Sequence, residues 1–257
     1  MLEQPSRQRM FNVPPVVLVL TVVLGIVHAF LFLALTDEQR DEFLALFAFI
    51  PARYDATVTP DIVWPGGWAA DVWTFVTYSL IHGNLTHLIF NAVWLLAFGS
   101  PVARRFGWLR FLAFMAICAA AGAAMVLLTH FGELLTLVGA SAAISGAMAA
   151  AMRFAFQPGG PLTQWHSRED AYRVPAVPLT SCLQDARVLA FLLVWFGVNL
   201  VFGLDAVGIA AVGEKIAWQA HIGGFLAGLL AFAVFDPIPM SSSAGANERG
   251  ETPPPTA

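Results

Sequence analysis

Charge is what this sequence has little of. Its 257 residues include 13 Lys plus Arg and 17 Asp plus Glu, together 12% of the chain, against 58% hydrophobic residues. Soluble domains carry roughly 25% charged residues, so an ordinary soluble domain is excluded and a polytopic membrane protein is implied. The net charge of −4, with no basic stripe interleaved with aromatics, argues against nucleic acid as a partner. Cysteine is scarce as well. Cys118 in an apolar run and Cys182 in a polar loop make no disulfide framework, and both are expected as free thiols.

Apolar runs are what the chain has in abundance. They lie near 14–36, 87–103, 110–129, 139–156, 187–204 and 215–235, on the scale of the about 20 helical residues that cross a ~30 Å hydrocarbon core. The expected fold is therefore all-α, a bundle of six transmembrane helices over 13–236, with a tail at 1–12 and a second, disordered tail at 237–257. Arg7 and Arg9 precede the first run as in a signal peptide, but its length exceeds the about 7–15 residues of a signal core, which predicts a retained helix. A cytoplasmic N-terminus puts Arg7, Arg9, Arg104, Arg105, Arg110, Arg153, Arg168, Arg173, Arg187 and Arg249 inside. It leaves only Arg40, Arg53 and Lys215 outside, a positive-inside bias that places both termini in the cytoplasm. The external loop 37–82 is acidic yet aromatic and predicts interfacial helices, whereas Gln157–Ala186, rich in Pro and Gly, predicts irregular chain.

Asp and Glu are absent from the runs, and Arg or Lys stands only at or near a run's end, which argues against an ion pump built on buried carboxylates. Among the polar residues inside, the candidates for function are His28, His87, Asn91, Ser141, Ser145, Asn199 and His221. Depth separates them. Ser141 stands 12 residues from Arg153, about 18 Å at 1.5 Å per residue, hence ~12 Å below the outer boundary; His221, 6 residues past Lys215, lies about 9 Å below it. Asn91, 13 residues from Arg104, falls about 20 Å from the inner side. A serine, a histidine and an asparagine thus share one layer near the external face. Ala217, His221, Gly224 and Gly228 form one stripe of a helix, and Gly224 with Gly228 is a small-xxx-small pair suited to close helix packing. The small residues of 139–147 offer the matching surface, which would bring the Ser141 hydroxyl to the imidazole as an activated nucleophile requires.

At these residues the sequence resembles the rhomboid intramembrane serine proteases. The family's pattern of His, four residues, His, three residues, Asn is met by His82, His87 and Asn91; its Gly-x-Ser by Gly139, Ala140 and Ser141; and its Ala-His followed by glycines by Ala220, His221, Gly223 and Gly224. The resemblance covers roughly Trp73 to Phe235. It implies a compact six-helix bacterial type in the inner membrane, with Ser141 as nucleophile and His221 as general base and acid. The side chains of His87 and Asn91 with the Ser141 N–H would form the oxyanion hole, and His82 would support the site. It implies no cofactor and no metal, and single-pass membrane proteins as substrates, cut near the outer face where small or helix-breaking residues let the helix unwind. The chain departs from the family at Ala142, where Gly is common, at Ser145, where an aromatic often packs on the histidine, and at Thr74 and Ala103 in positions that are structural in the family.

Taken singly, each residue has a plainer reading. A serine in a membrane helix usually bonds back to a carbonyl, and Ser145-Gly146 is a rival to Ser141 that lacks the glycine two residues before it. His221 alone reads as packing, His87 with Asn91 as a helix cap, and His28, His130, His166 and Asn199 have no partner pattern. The alternatives are a non-catalytic rhomboid-like protein that binds membrane clients, a small transporter, or a metal site on His82, His87 and His221. The serine and histidine both present favour the protease.

Overall fold

The computed structural model describes residues 13–163, 169–203 and 217–238. His166, Arg168, Lys215, Arg249, the 1–12 tail and all of the 237–257 tail except Pro237 and Ile238 lie outside the described residues. The described chain forms α1 (Pro15–Leu33), α2 (Asp37–Phe47), α3 (Gly67–Thr77), α4 (Leu85–Trp94), α5 (Ser100–Phe106), α6 (Trp108–Thr129), α7 (Ser141–Ala151), α8 (Leu179–Cys182), α9 (Ala186–Gly203) and α10 (Trp218–Phe235). The protein is an all-α polytopic membrane protein. Leu18, Val22 and Ile26 on α1, Leu193 and Val198 on α9, and Leu230 and Val234 on α10 point outward, as lipid permits and water does not.

Local sequence explains where the helices begin and end. Pro15 opens α1 at a position where its missing N–H costs nothing. Thr36 and Gln39 close a reciprocal capping box on α2. The Asn84 side chain accepts the His87 N–H at 2.8 Å and starts α4. Pro101 has no N–H to give the carbonyl four residues back, and the helix absorbs this with a π turn, Leu95–Gly99, that joins α4 to α5 in one span. Gly107, at φ 79°, separates α5 from α6.

Among the described residues four helices are long and apolar enough to cross a membrane: Pro15–Leu33, Leu85–Phe106, Trp108–Thr129 and Trp218–Phe235. Ser141–Ala151 and Ala186–Val201 are shorter apolar helices. The run at 139–156 thus yields a helix of only 11 residues, shorter than its length suggested. The chain turns after Ala151, where Arg153 exchanges bonds with Val177: its Nε donates to the Val177 carbonyl at 2.9 Å, and its carbonyl accepts the Val177 N–H at 3.1 Å. Every residue of α7 after Ser141 is buried, so this helix is surrounded by protein and sits at the centre of the bundle. Cys182, expected in a solvated loop, is buried; both cysteines are free thiols.

α10 packs on α6 and α7 almost backbone to backbone. A Cβ built on Gly224 would lie 2.0 Å from the Ala142 carbonyl oxygen, one on Gly228 2.4 Å from Gly146 Cα, and one on Gly223 2.5 Å from the Ala121 carbonyl oxygen. Without a hydrophobic driving force between helices in lipid, such contact is the main source of attraction between them. The far end of α10 is closed by charge. Arg105 grips Asp236 through two bonds of 2.8 Å and donates to the carbonyls of Tyr172 and Val174, and both side chains are buried.

The 37–82 segment holds α2, α3 and two 3-10 turns. Arg53, which in the sequence stands only as an outward charge, is its organising residue. It bonds Asp71 at 2.7 Å and the carbonyls of Ala45 and Pro65. Trp73 adds a bond to the Leu46 carbonyl at 2.8 Å.

Candidate functional site

Two extended segments hold the turn that leads into α7. Phe49 and Leu137 exchange backbone hydrogen bonds of 3.2 and 2.8 Å, and the Gly139 N–H donates to the Tyr78 carbonyl at 3.1 Å. Tyr78, buried, in turn donates its hydroxyl to the Ala119 carbonyl of α6 at 2.8 Å. Gly139 has φ 114°, a conformation closed to residues with a Cβ. The same glycine makes room for a side chain. The point where its Cβ would stand is 2.6 Å from His87 Nε2 and 3.8 Å from Ser141 Oγ, so imidazole and hydroxyl flank one spot.

Ser141 is the first residue of α7, and His221 lies in the first turn of α10. The backbone contact between Gly224 and Ala142 brings these two helix starts together, and Ser141 Oγ lies 2.7 Å from His221 Nε2. As N-terminal helix residues, Ser141 and Ala142 have N–H groups without an intrahelical acceptor. Ser145 does not meet the histidine. Its hydroxyl bonds back to the Ser141 carbonyl at 2.8 Å, the ordinary behaviour of a helical serine.

His87 and Asn91 occupy one face of α4, a turn apart. Asn91 is buried; its Nδ2 donates to the His87 carbonyl at 2.9 Å, and its Oδ1 has no hydrogen-bond partner among the described residues. His82, buried, lies edge-on to His87 with ring centroids 5.1 Å apart, and its carbonyl accepts a 3.1 Å bond from His28 Nδ1. His28 is therefore a support of the His82 loop. Among the described residues no group of three His, Cys, Asp or Glu side chains is placed to hold a metal ion.

Sequence reading missed Asn199. On α9 its side chain is buried and hydrogen-bonds Nδ1 of His221, while its Nδ2 donates to the Trp195 carbonyl at 2.7 Å. A polar residue in an otherwise apolar run was the available signal, yet nothing in the spacing links α9 to α10. His130 bonds Thr129 Oγ1 at 2.8 Å, and its Nε2 lies 3.4 Å from Gln219 Nε2 at the start of α10.

A family model described as Rhomboid domain matches residues 69–237, which are 169 of the 257. The chain is also similar to the Rhomboid protease GlpG of Enterobacter sp. (strain 638), at 32% identity over 66 residues. That stretch is 25% of this chain and 24% of the relative, so the match spans about a quarter of the relative's length.

Proposed function

Because the chain belongs to the rhomboid family, we propose that it is an intramembrane serine endopeptidase acting through Ser141 and His221. The observation that carries this reading is the 2.7 Å contact between Ser141 Oγ and His221 Nε2, which is within the reach of nucleophile and base. In this mechanism Oγ attacks a peptide carbonyl as Nε2 takes its proton, and the imidazolium then protonates the leaving amine. The acyl-serine is released by water activated at the same nitrogen.

The developing oxyanion would be met by the Ser141 N–H at the start of α7 and by the side chains of His87 and Asn91. Such donors contribute ~3–4 kcal/mol each where water is excluded. The chemistry calls for no cofactor. Substrates are single-pass membrane proteins whose helix unwinds beside the site, near the external face of a bacterial inner membrane, with both termini of this chain in the cytoplasm. The positive-inside bias supports that orientation.

The test is cleavage of a single-pass reporter in liposomes by the wild type, Ser141→Ala and His221→Ala. Both variants should lose on the order of 10⁴-fold or more in kcat while their thermal unfolding is retained. Full cleavage by either variant overturns the reading. A folded wild type that binds the reporter and leaves it intact supports client binding without catalysis.

A further inference from the structure

His221 uses both ring nitrogens, and the second contact has a direction that chemistry fixes. The Trp195 carbonyl can only accept, so the Asn199 atom 2.7 Å from it is the amide nitrogen. The Asn199 oxygen must then be the atom that faces His221 Nδ1. An amide oxygen has no proton to give, so Nδ1 carries the hydrogen and donates it. A neutral imidazole has one N–H, which leaves the Nε2 lone pair for the Ser141 hydroxyl at 2.7 Å. For a neutral ring, the chain of bonds from Trp195 through Asn199 and His221 to Ser141 is consistent in only this sense.

Among the described residues no other side-chain hydrogen bond to the His221 ring is seen. Ser145, one turn beyond Ser141, is turned back to the Ser141 carbonyl. The aromatic surface on α9 and α10 lies elsewhere, where Trp195 stacks on Phe225 with centroids 4.7 Å apart. That stack fixes the helix turn from which Asn199 projects, since residues four apart share a helix face. His87, on α4, is the titratable side chain across the site, where it and Ser141 Oγ flank the space at Gly139.

We propose that Asn199 is the positioning residue of His221, holding the imidazole in the Nδ1–H tautomer so that Nε2 is always the base toward Ser141. It touches neither substrate nor nucleophile. Its oxygen also faces the imidazolium that forms when Ser141 gives up its proton, and a hydrogen bond to a charged donor is stronger than one to a neutral donor. The site is thus a serine, a histidine and an asparagine in series, with the third member supplied by the neighbouring helix. This rests on the protease reading for its catalytic consequence, whereas the tautomer itself does not.

The experiment compares the wild type, Ser141→Ala, Asn199→Leu and Asn199→Asp in reporter cleavage across pH, with thermal unfolding of each. Leu keeps the volume and removes the acceptor, and should lower kcat about ten- to a hundredfold, the effect of losing a hydrogen bond to a developing charge, with KM nearly unchanged. Asp restores an acceptor and adds charge. It should recover most of kcat over Leu and move the acid limb of the kcat/KM profile to higher pH, because a carboxylate beside the imidazole favours its protonated form. A wild-type kcat in Asn199→Leu overturns the proposal, as does equal impairment of Leu and Asp with an unmoved acid limb. If the wild type cuts no faster than Ser141→Ala, the protease reading fails instead. Nitrogen-15 NMR of histidine-labelled protein, assigned by the signal lost in His221→Ala, then decides the positioning role alone and also covers an Asp variant that does not fold. The Nδ1–H tautomer in the wild type and a mixture in Asn199→Leu support it; Nε2–H in the wild type overturns it.

Discussion

The two ends of α10 solve the burial of polar groups in opposite ways. At Asp236 the protein buries full charges and meets them with a dense set of hydrogen bonds. Arg105 meets a bidentate carboxylate and two carbonyls, and its guanidinium lies 4.6 Å from the Phe154 ring centroid. At His221, 15 residues away or about 22 Å along the helix, the groups in contact are neutral: a hydroxyl, an imidazole and an amide. Among the described residues nothing there is ion-paired, and the Asn91 oxygen has no hydrogen-bond partner. A buried ion pair is costly to break and does no chemistry. A neutral site holds no isolated buried charge until Ser141 gives its proton to His221, and at that moment the oxyanion forming on the substrate compensates the imidazolium. The difference suggests one end built for holding and one for reacting.

That contrast can be broken at its charged end first. Arg105→Met leaves Asp236 buried and unpaired, and should cost about 3–5 kcal/mol of stability, read as a large fall in thermal midpoint. Cleavage per folded molecule at low temperature should fall far less, because the Ser141 and His221 contact is made at the other end. Loss of both in proportion would show that the ends are not separable.

The next effect lies between the ends. Gly228→Ala puts a methyl 2.4 Å from Gly146 Cα, where backbone must move, and should cost about 1–3 kcal/mol. Because α7 and α10 carry the serine and the histidine, this variant should lose activity as well as stability, unlike Arg105→Met. Smaller still is Ser145→Ala, which removes one back-bond worth about 1 kcal/mol or less. Cleavage should fall less than about tenfold; complete loss would make Ser145 the nucleophile instead of Ser141.

The smallest change concerns the start of α9. The Asp185 carboxyl accepts the Arg187 N–H at 2.8 Å and pairs with its guanidinium at 2.7 Å, which holds the carboxyl down at about 2. A depressed carboxylate stabilises the fold above its unfolded pKa, and that support is lost only as pH falls toward the folded value. Asp185→Ala should therefore give a small decrease in thermal midpoint at pH 7 that disappears in strong acid.

Much of this arrangement was legible in the sequence because glycine and charge are informative inside a membrane. The Gly224 and Gly228 stripe pointed to backbone contact between helices, and the small residues of 139–147 to the surface that meets it. The length of α7 was not legible, since composition cannot distinguish a short helix buried in protein from a span bathed in lipid. Arg53 and Arg105 read only as topology markers, because their partners lie on other segments: Asp71 is 18 residues on and Asp236 is 131 residues on. Asn199 was passed over for the same reason. Its partner is set by how α9 leans on α10, and hydrophobic periodicity carries no record of that.

The most direct measurement is labelling by a serine-directed fluorophosphonate probe, read by mass spectrometry of the modified peptide. An activated Ser141 predicts that the folded wild type is labelled at Ser141 and that Ser141→Ala and His221→Ala are not. A folded wild type left unlabelled, or equal labelling in Ser141→Ala, would contradict the account.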